Sequence, residues 1–153
     1  MPRCVSPLLF AICLLARPLA GQTQVSGVRD LTFGIVVAGV PTTVSPNDPV
    51  KSGQFYIRYV TGGRVRVRLT LPATLNRVGG GGTMPISFGN GDAFALGTSS
   101  GSVPNPFNPS GLLNYRFTGS PDMNIWLGGR VTPGGAIPAG SYTAPVVITA
   151  IFF

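Results

Sequence analysis

Along residues 64 to 71, RVRVRLTL, polar and apolar side chains alternate without a break: Arg64, Arg66, Arg68 and Thr70 fall on one side, Val65, Val67, Leu69 and Leu71 on the other. A period of two marks a β-strand with one buried and one solvated face. The preceding stretch sets Phe55, Ile57 and Tyr59 against Tyr56, Arg58 and Val60. GSYTAPVVITAIFF, residues 140 to 153, repeats the pattern at greater length. Its even positions, Gly140, Tyr142, Ala144, Val146, Ile148, Ala150 and Phe152, are all small or apolar, whereas the odd ones are mixed. No stretch of useful length carries a helical period.

These runs and others like them predict strands at LTFGIVV (31–37), GQFYIRYV (53–60), RVRVRLTLP (64–72), TMPISFG (83–89), LLNYRFTG (112–119), MNIWLGGRV (123–131) and YTAPVVITAIFF (142–153). Between them lie PTTVSPNDP, VGGGG, TSSGSVPNPFNPSG and TPGGAIPAG, all dense in Gly, Pro, Asn and Ser. Short β-rich runs punctuated in this way predict an all-β sandwich or barrel. A three-residue hairpin loop at Thr61–Gly63 would set Arg58 directly across from Arg66. Like charges so placed are unfavourable, by analogy with the roughly 0.2–1 kcal/mol of favourable cross-strand pairs. A crossing from one sheet to the other avoids that clash and is the preferred expectation. The last run, at about 3.4 Å per residue, is long enough to span about 40 Å, the height of a sandwich. Pro145 cannot donate a ladder bond, so it belongs at an edge or a bulge. Chain ends are usually polar and frayed; one that closes on Phe152 and Phe153 is expected to be held. The loop 98–111 is long for a compact domain.

The start of the chain changes the count of usable groups. MPRCVSPLLFAICLLARPLAGQ has Arg3, an apolar run, then Ala20 and Gly21, the layout of a secretory signal peptide with cleavage after one of those two small residues. The run is shorter than the about 20 apolar residues a bilayer requires, so cleavage and secretion to the periplasm or cell surface are expected, with no stable membrane anchor. Residues 1–20 are thus read as signal and 21–153 as a single β-sandwich domain. Cys4 and Cys13 leave with the signal, and with them any disulfide, thiolate metal site or cysteine nucleophile. Without Arg3 and Arg17, nine of the eleven basic residues face Asp30, Asp48, Asp92 and Asp122, a net charge of +5, and the chain has no His and no Glu.

General acid–base and metal chemistry rely mostly on His, Glu, Asp and Cys. Four scattered aspartates serve them poorly, so the reading is non-enzymatic: no cofactor, no metal, no small-molecule substrate. SPNDP (45–49) and FGNGDAF (88–94) lack the about six to eight oxygens of a calcium site and read as turns. VGGGGT lacks the GK[ST] of a phosphate loop, and Asn108-Pro-Ser is no glycosylation acceptor. Trp126 reads as packing. The charge feature with a shape is the arginine ladder. Arg58, Arg64, Arg66 and Arg68, with Tyr56 and Tyr59 nearby, form either a face for acidic polysaccharide, lipopolysaccharide phosphate or nucleic acid, or simply the solvated side of a strand that discourages aggregation.

IWLGGRVTPGGAIPAGSYTAPVVITAIFF, with its G-G-x-V strand, proline-rich turn and P-A-G-S-Y leading into alternating residues, resembles the C-terminal half of the spore coat protein U group and a related family of short secreted bacterial proteins. LTFG at 31–34 and the block 54–72 extend the resemblance over most of the mature chain. That group is similar to chaperone-usher fimbrial subunits. The resemblance implies an immunoglobulin-like, pilin-like β-sandwich that is incomplete and is completed by a strand from a partner, with a periplasmic chaperone and other subunits as partners. On this basis Gly140, Tyr142, Val146, Ile148, Ala150 and Phe152 form the assembly strand, since Gly140 and Phe152 match the family's C-terminal glycine and penultimate aromatic. Two features depart from that pattern. GQTQVSGVRD (21–30) offers only Val25 and Val28, out of phase, as donor residues, and the usual pilin disulfide is absent. The chain therefore either accepts a strand without donating one or is a self-complete sandwich.

Overall fold

A computed structural model describes residues 22–153; the expected signal segment, with Cys4 and Cys13, lies outside the described residues. The alternation of RVRVRLT becomes a strand whose Val65, Val67 and Leu69 are buried and whose arginines are exposed. In chain order the strands are β1 (Gln24–Arg29), β2 (Thr42–Val44), β3 (Gly53–Arg58), β4 (Arg64–Thr70), β5 (Thr74–Arg77), β6 (Thr83–Ser87), β7 (Ala93–Gly97), β8 (Asn105–Phe107), β9 (Leu112–Arg116), β10 (Asp122–Leu127), β11 (Gly129–Val131), β12 (Tyr142–Thr143) and β13 (Val147–Phe152). All pair antiparallel.

One layer is the sheet β1-β3-β10-β7-β8; the other is hydrogen-bonded in two pieces, β13-β4-β9 and β12-β5-β6-β11-β2. The two pieces share chain. The C-terminal segment accompanies residues 65–77 along their length, from Phe152 opposite Val65 to Tyr142 opposite Arg77. Between the layers Ile57, Ala95, Met123 and Ile125 meet Val65, Val67, Leu113 and Phe117. A second cluster, Phe33, Val44, Met84, Ile86 and Val131, lies toward the other end, and Leu69, Ala93 and Leu127 join the two. At roughly 1.5–3 kcal/mol per fully buried large side chain, this burial is what holds the β-sandwich.

The crossing expected between Arg58 and Arg64 is present. Arg58 lies in one layer opposite Asp122, whereas Arg66 lies in the other opposite Asn114 and Ile151. MNIWLGGRV is divided, because β10 stays in the first layer and β11 joins the second. A Cβ on Gly128 would stand 2.7 Å from Pro46 N and one on Gly129 3.0 Å from the Phe88 ring, so the Gly-Gly pair is what lets the chain cross so close to its neighbours. YTAPVVITAIFF is also divided, around Pro145, into β12 and β13.

The expected strand 31–37 is absent. Leu31 and Phe33 turn inward to pack in the core clusters, Gly34 has φ +70°, and Ile35 is 97% exposed. Side-chain packing, with no ladder, holds this stretch. The neighbouring strand is instead β1, whose alternation gives no sign of it: Val25 and Val28 are both exposed, and a bulge falls between Gly27 and Arg29. The short strands β2, β5, β7 and β8 were not expected either, and β8 lies inside the loop 98–111.

Candidate strand-addition groove

The chain enters the C-terminal segment through a tight junction. Gly140 has φ +152°, and a Cβ there would lie 2.6 Å from Arg77 Nε. Arg77 is fixed in that place because its Nε donates to Ala139 O (2.9 Å) and its Nη1 to Gly80 O (3.1 Å). Tyr142 Oη donates to Pro138 O at 2.6 Å, and Val78 N to Ser141 O at 2.8 Å. Beyond the junction the alternation read from the sequence is kept: Tyr142, Ala144, Val146, Ile148, Ala150 and Phe152 are half-buried, and every odd position from Ser141 to Phe153 is exposed. None of the even positions reaches full burial.

The reason is an open side. β12 and β13 are the outermost strands of their sheets, pairing only with β5 and β4, and β1 is the outermost strand of the other layer. Between these unpaired edges lies a groove of about 1560 Å³. One wall is the C-terminal segment from Pro138 to Ile148; the other is Arg29 to Val36. Phe55, Leu75, Met84, Ile86, Leu127 and Val131 form the floor. Along the second wall, Thr32 N donates to Lys51 O (2.9 Å) and Val40 N to Val37 O (3.0 Å), with no strand ladder between them. Arg29 braces the base of this wall: its Nε donates to Ser52 O (2.7 Å), its Nη2 to Ser52 Oγ (2.8 Å) and its Nη1 to Pro49 O.

Of the residues named for the assembly strand, Gly140, Tyr142, Val146 and Ile148 line the groove. Ala150 and Phe152 do not. They pack in the closed part of the core, with the Phe152 ring 4.7 Å from that of Tyr59, so Phe152 anchors the strand. Phe153 is held by paired main-chain bonds to Arg64, 2.9 and 3.0 Å. The second wall, with Leu31, Phe33 and Val36, was missed. Its apolar residues were visible in the sequence, but the lack of a ladder was not.

The arginine set is divided. Arg64, Arg66 and Arg68 share the exposed face of β4, whereas Arg58 lies on the outer side of the opposite layer, 3.7 Å from Asp122. Asp122 also accepts a hydrogen bond from Tyr56 Oη (2.5 Å), which, with burial, raises that phenol. In place of Arg58 the fold brings Arg116 of β9 directly opposite Arg64. Such a like-charge pair works against the sheet by a few tenths of a kcal/mol, about the size of favourable pairs. Trp126 stacks on Phe94, ring centres 4.8 Å apart.

No family model, curated protein or solved structure matches this chain.

Chemical groups elsewhere serve turns. Asp48 Oδ1 accepts from Val50 N (2.9 Å) and Lys51 N (2.8 Å), and Asp92 Oδ2 from Gly89 N (2.6 Å). The two N–H donors of Lys51 and Val50 hold the Asp48 carboxyl below its usual value, while burial alone raises the Tyr115 phenol. Among the described residues no three His, Cys, Asp or Glu come together, and no helix is long and apolar enough to cross a membrane.

Proposed function

We propose that this protein is a secreted, non-enzymatic structural subunit of a pilus-like or coat-like bacterial surface assembly, in which an extended strand from a partner, first a periplasmic chaperone and then another subunit, occupies the groove. The observation that carries this reading is the half-buried C-terminal segment, whose outer edge has no partner strand, facing an apolar floor across an open side. An added strand gains main-chain hydrogen bonds along that edge, and its alternate side chains cover the floor. Gly140 to Ile148 offers an edge of about 30 Å at roughly 3.4 Å per residue. Each large apolar side chain it buries adds roughly 1.5–3 kcal/mol. The immunoglobulin-like character implied by the family resemblance agrees with a sandwich left open along one side.

The test is expression of the mature chain alone and with a synthetic peptide carrying valine or leucine at every second position. The chain alone is expected to aggregate, and the peptide to hold it in solution as a folded monomer. A chain that stays monomeric and unfolds cooperatively with no partner would sink the proposal and favour a self-complete sandwich.

A further inference from the structure

We infer that the outer face of β13-β4-β9 is a binding surface for an extended acidic polysaccharide. It lies on the solvent side of its layer, apart from the groove, so the inference stands whether or not a strand is added there. On β4, Arg64, Arg66 and Arg68 project to one side at successive intervals of about 7 Å, twice the rise of a strand. Arg116 stands opposite Arg64, Asn114 opposite Arg66, and Thr149 opposite Arg68. Arg66 is held without being neutralised: its Nε donates to Asn114 Oδ1 at 3.1 Å, and its guanidinium carbon sits 5.7 Å from the centre of the Phe153 ring. Arg64, Arg66, Asn114, Arg116 and Phe153 together line a shallow concavity of about 420 Å³.

Charge complementarity names the occupant. None of the four aspartates lies on these strands, and the one ion pair among the described residues is Arg58 with Asp122 on the other layer. A strand surface merely kept soluble has no need to set Arg64 against Arg116. An anionic group between them turns that repulsion into two attractions, and the guanidinium fork matches a carboxylate or sulfate in a bidentate way. A nucleic acid fits less well. Single strands are gripped by rows of stacking aromatics, and here one exposed aromatic, Phe153, stands beside Arg66 with no row of others along the face. A flat sheet face also lacks the projecting helix or ribbon that enters a duplex groove. A glycan bearing carboxylates or sulfates along an extended chain needs only the row of cations, with Asn114 and Thr149 for its hydroxyls.

The test is salt-gradient elution of the mature chain, with or without the strand peptide, from heparin resin and from DNA-cellulose. Four forms are compared: wild type, R64S/R66S/R68S, R64K/R66K/R68K, and the charge-matched K51S/R58S/R130S. Circular dichroism checks their folding, and Arg116→Ser stands in for the serine triple if that variant does not fold. The expected result is that wild type is held on heparin, the serine triple loses retention, the lysine triple elutes between them, and the charge-matched triple elutes near wild type. Unchanged elution of the serine triple, or of Arg116→Ser in its place, overturns the inference. So does an equal loss for both serine-substituted triples, which assigns retention to net charge. Tighter holding on DNA-cellulose than on heparin replaces the glycan with a nucleic acid.

Discussion

Gly140 is the residue on which the C-terminal segment turns. Its φ of +152° is one that side chains disfavour, and the space beside it belongs to Arg77 Nε. Gly140→Ala must both strain the backbone and displace a guanidinium that holds Ala139 and Gly80. The expected cost is about 1–3 kcal/mol, read as a lower melting temperature, while Gly134→Ala, where a Cβ meets nothing within 4 Å, leaves it unchanged or slightly raised. Equal melting temperatures for the two variants would refute this account. Asp48 makes a prediction in pH. Its carboxyl is held below the usual 3.8 by Lys51 and Val50 N–H groups, so the folded state binds that proton less readily than the unfolded chain. The resulting stabilisation is complete above the unfolded value and is lost as pH falls through the folded one. Asp48→Asn, which keeps an oxygen acceptor but not the charge, is therefore expected to melt slightly lower at neutral pH and to lose less on acidification. Melting curves between about pH 2 and pH 6, bracketing the carboxylate range, decide it; parallel curves for both proteins would count against it.

At the scale of elements, the C-terminal strand is fastened at its far end. Phe152 packs on Tyr59, and Phe153 exchanges two main-chain bonds with Arg64. Deleting Ile151–Phe153 removes both and exposes part of the core cluster, so the truncated chain is expected to fall sharply in folded yield on immunoblots. Accumulation equal to wild type would show that the strand is held by β12 and the first half of β13 alone. What was legible in the sequence follows from the same physics. β4 and the C-terminal segment could be read because each has one face toward the core and one toward water. β7 could not, since its period is inverted: Ala93 and Ala95 are fully buried while Phe94 turns outward to stack on Trp126. β1 was hidden because an edge strand with both valines exposed is defined by its main-chain bonds to β3 and by little else. The stretch 31–37 has the opposite character, with apolar anchors and no ladder. The arginine face was half legible, because alternation puts Arg64, Arg66 and Arg68 on one side, whereas the partner of Arg64 is set by the register with β9, which local sequence does not specify.

Across the whole molecule the core is uneven. The cluster around Ile57, Val65, Phe117, Met123 and Ile125 is closed, each of these residues being fully buried. The cluster beneath the groove keeps Phe33 at 9%, Ile86 at 8% and Met84 at 6% exposure, and its two walls carry unpaired backbone. Regions with fewer buried contacts and unpaired backbone open at lower free energy than the rest. Amide hydrogen exchange of residues 21–153, stabilised by a weakly bound strand peptide, is therefore expected to be slowest in β3 and β10 and fastest in residues 30–38 and 139–146. Raising the peptide concentration should slow exchange at those of residues 144 and 146–148 whose N–H groups face the open edge, before it changes β9 on the far side of β4. Uniform slowing throughout the chain would mean that the peptide acts by global stabilisation, and no slowing at 144–148 would mean that the unpaired edge is not where a strand is received. The order of protection thus tests whether the open side of the sandwich is the place where this protein joins its neighbours.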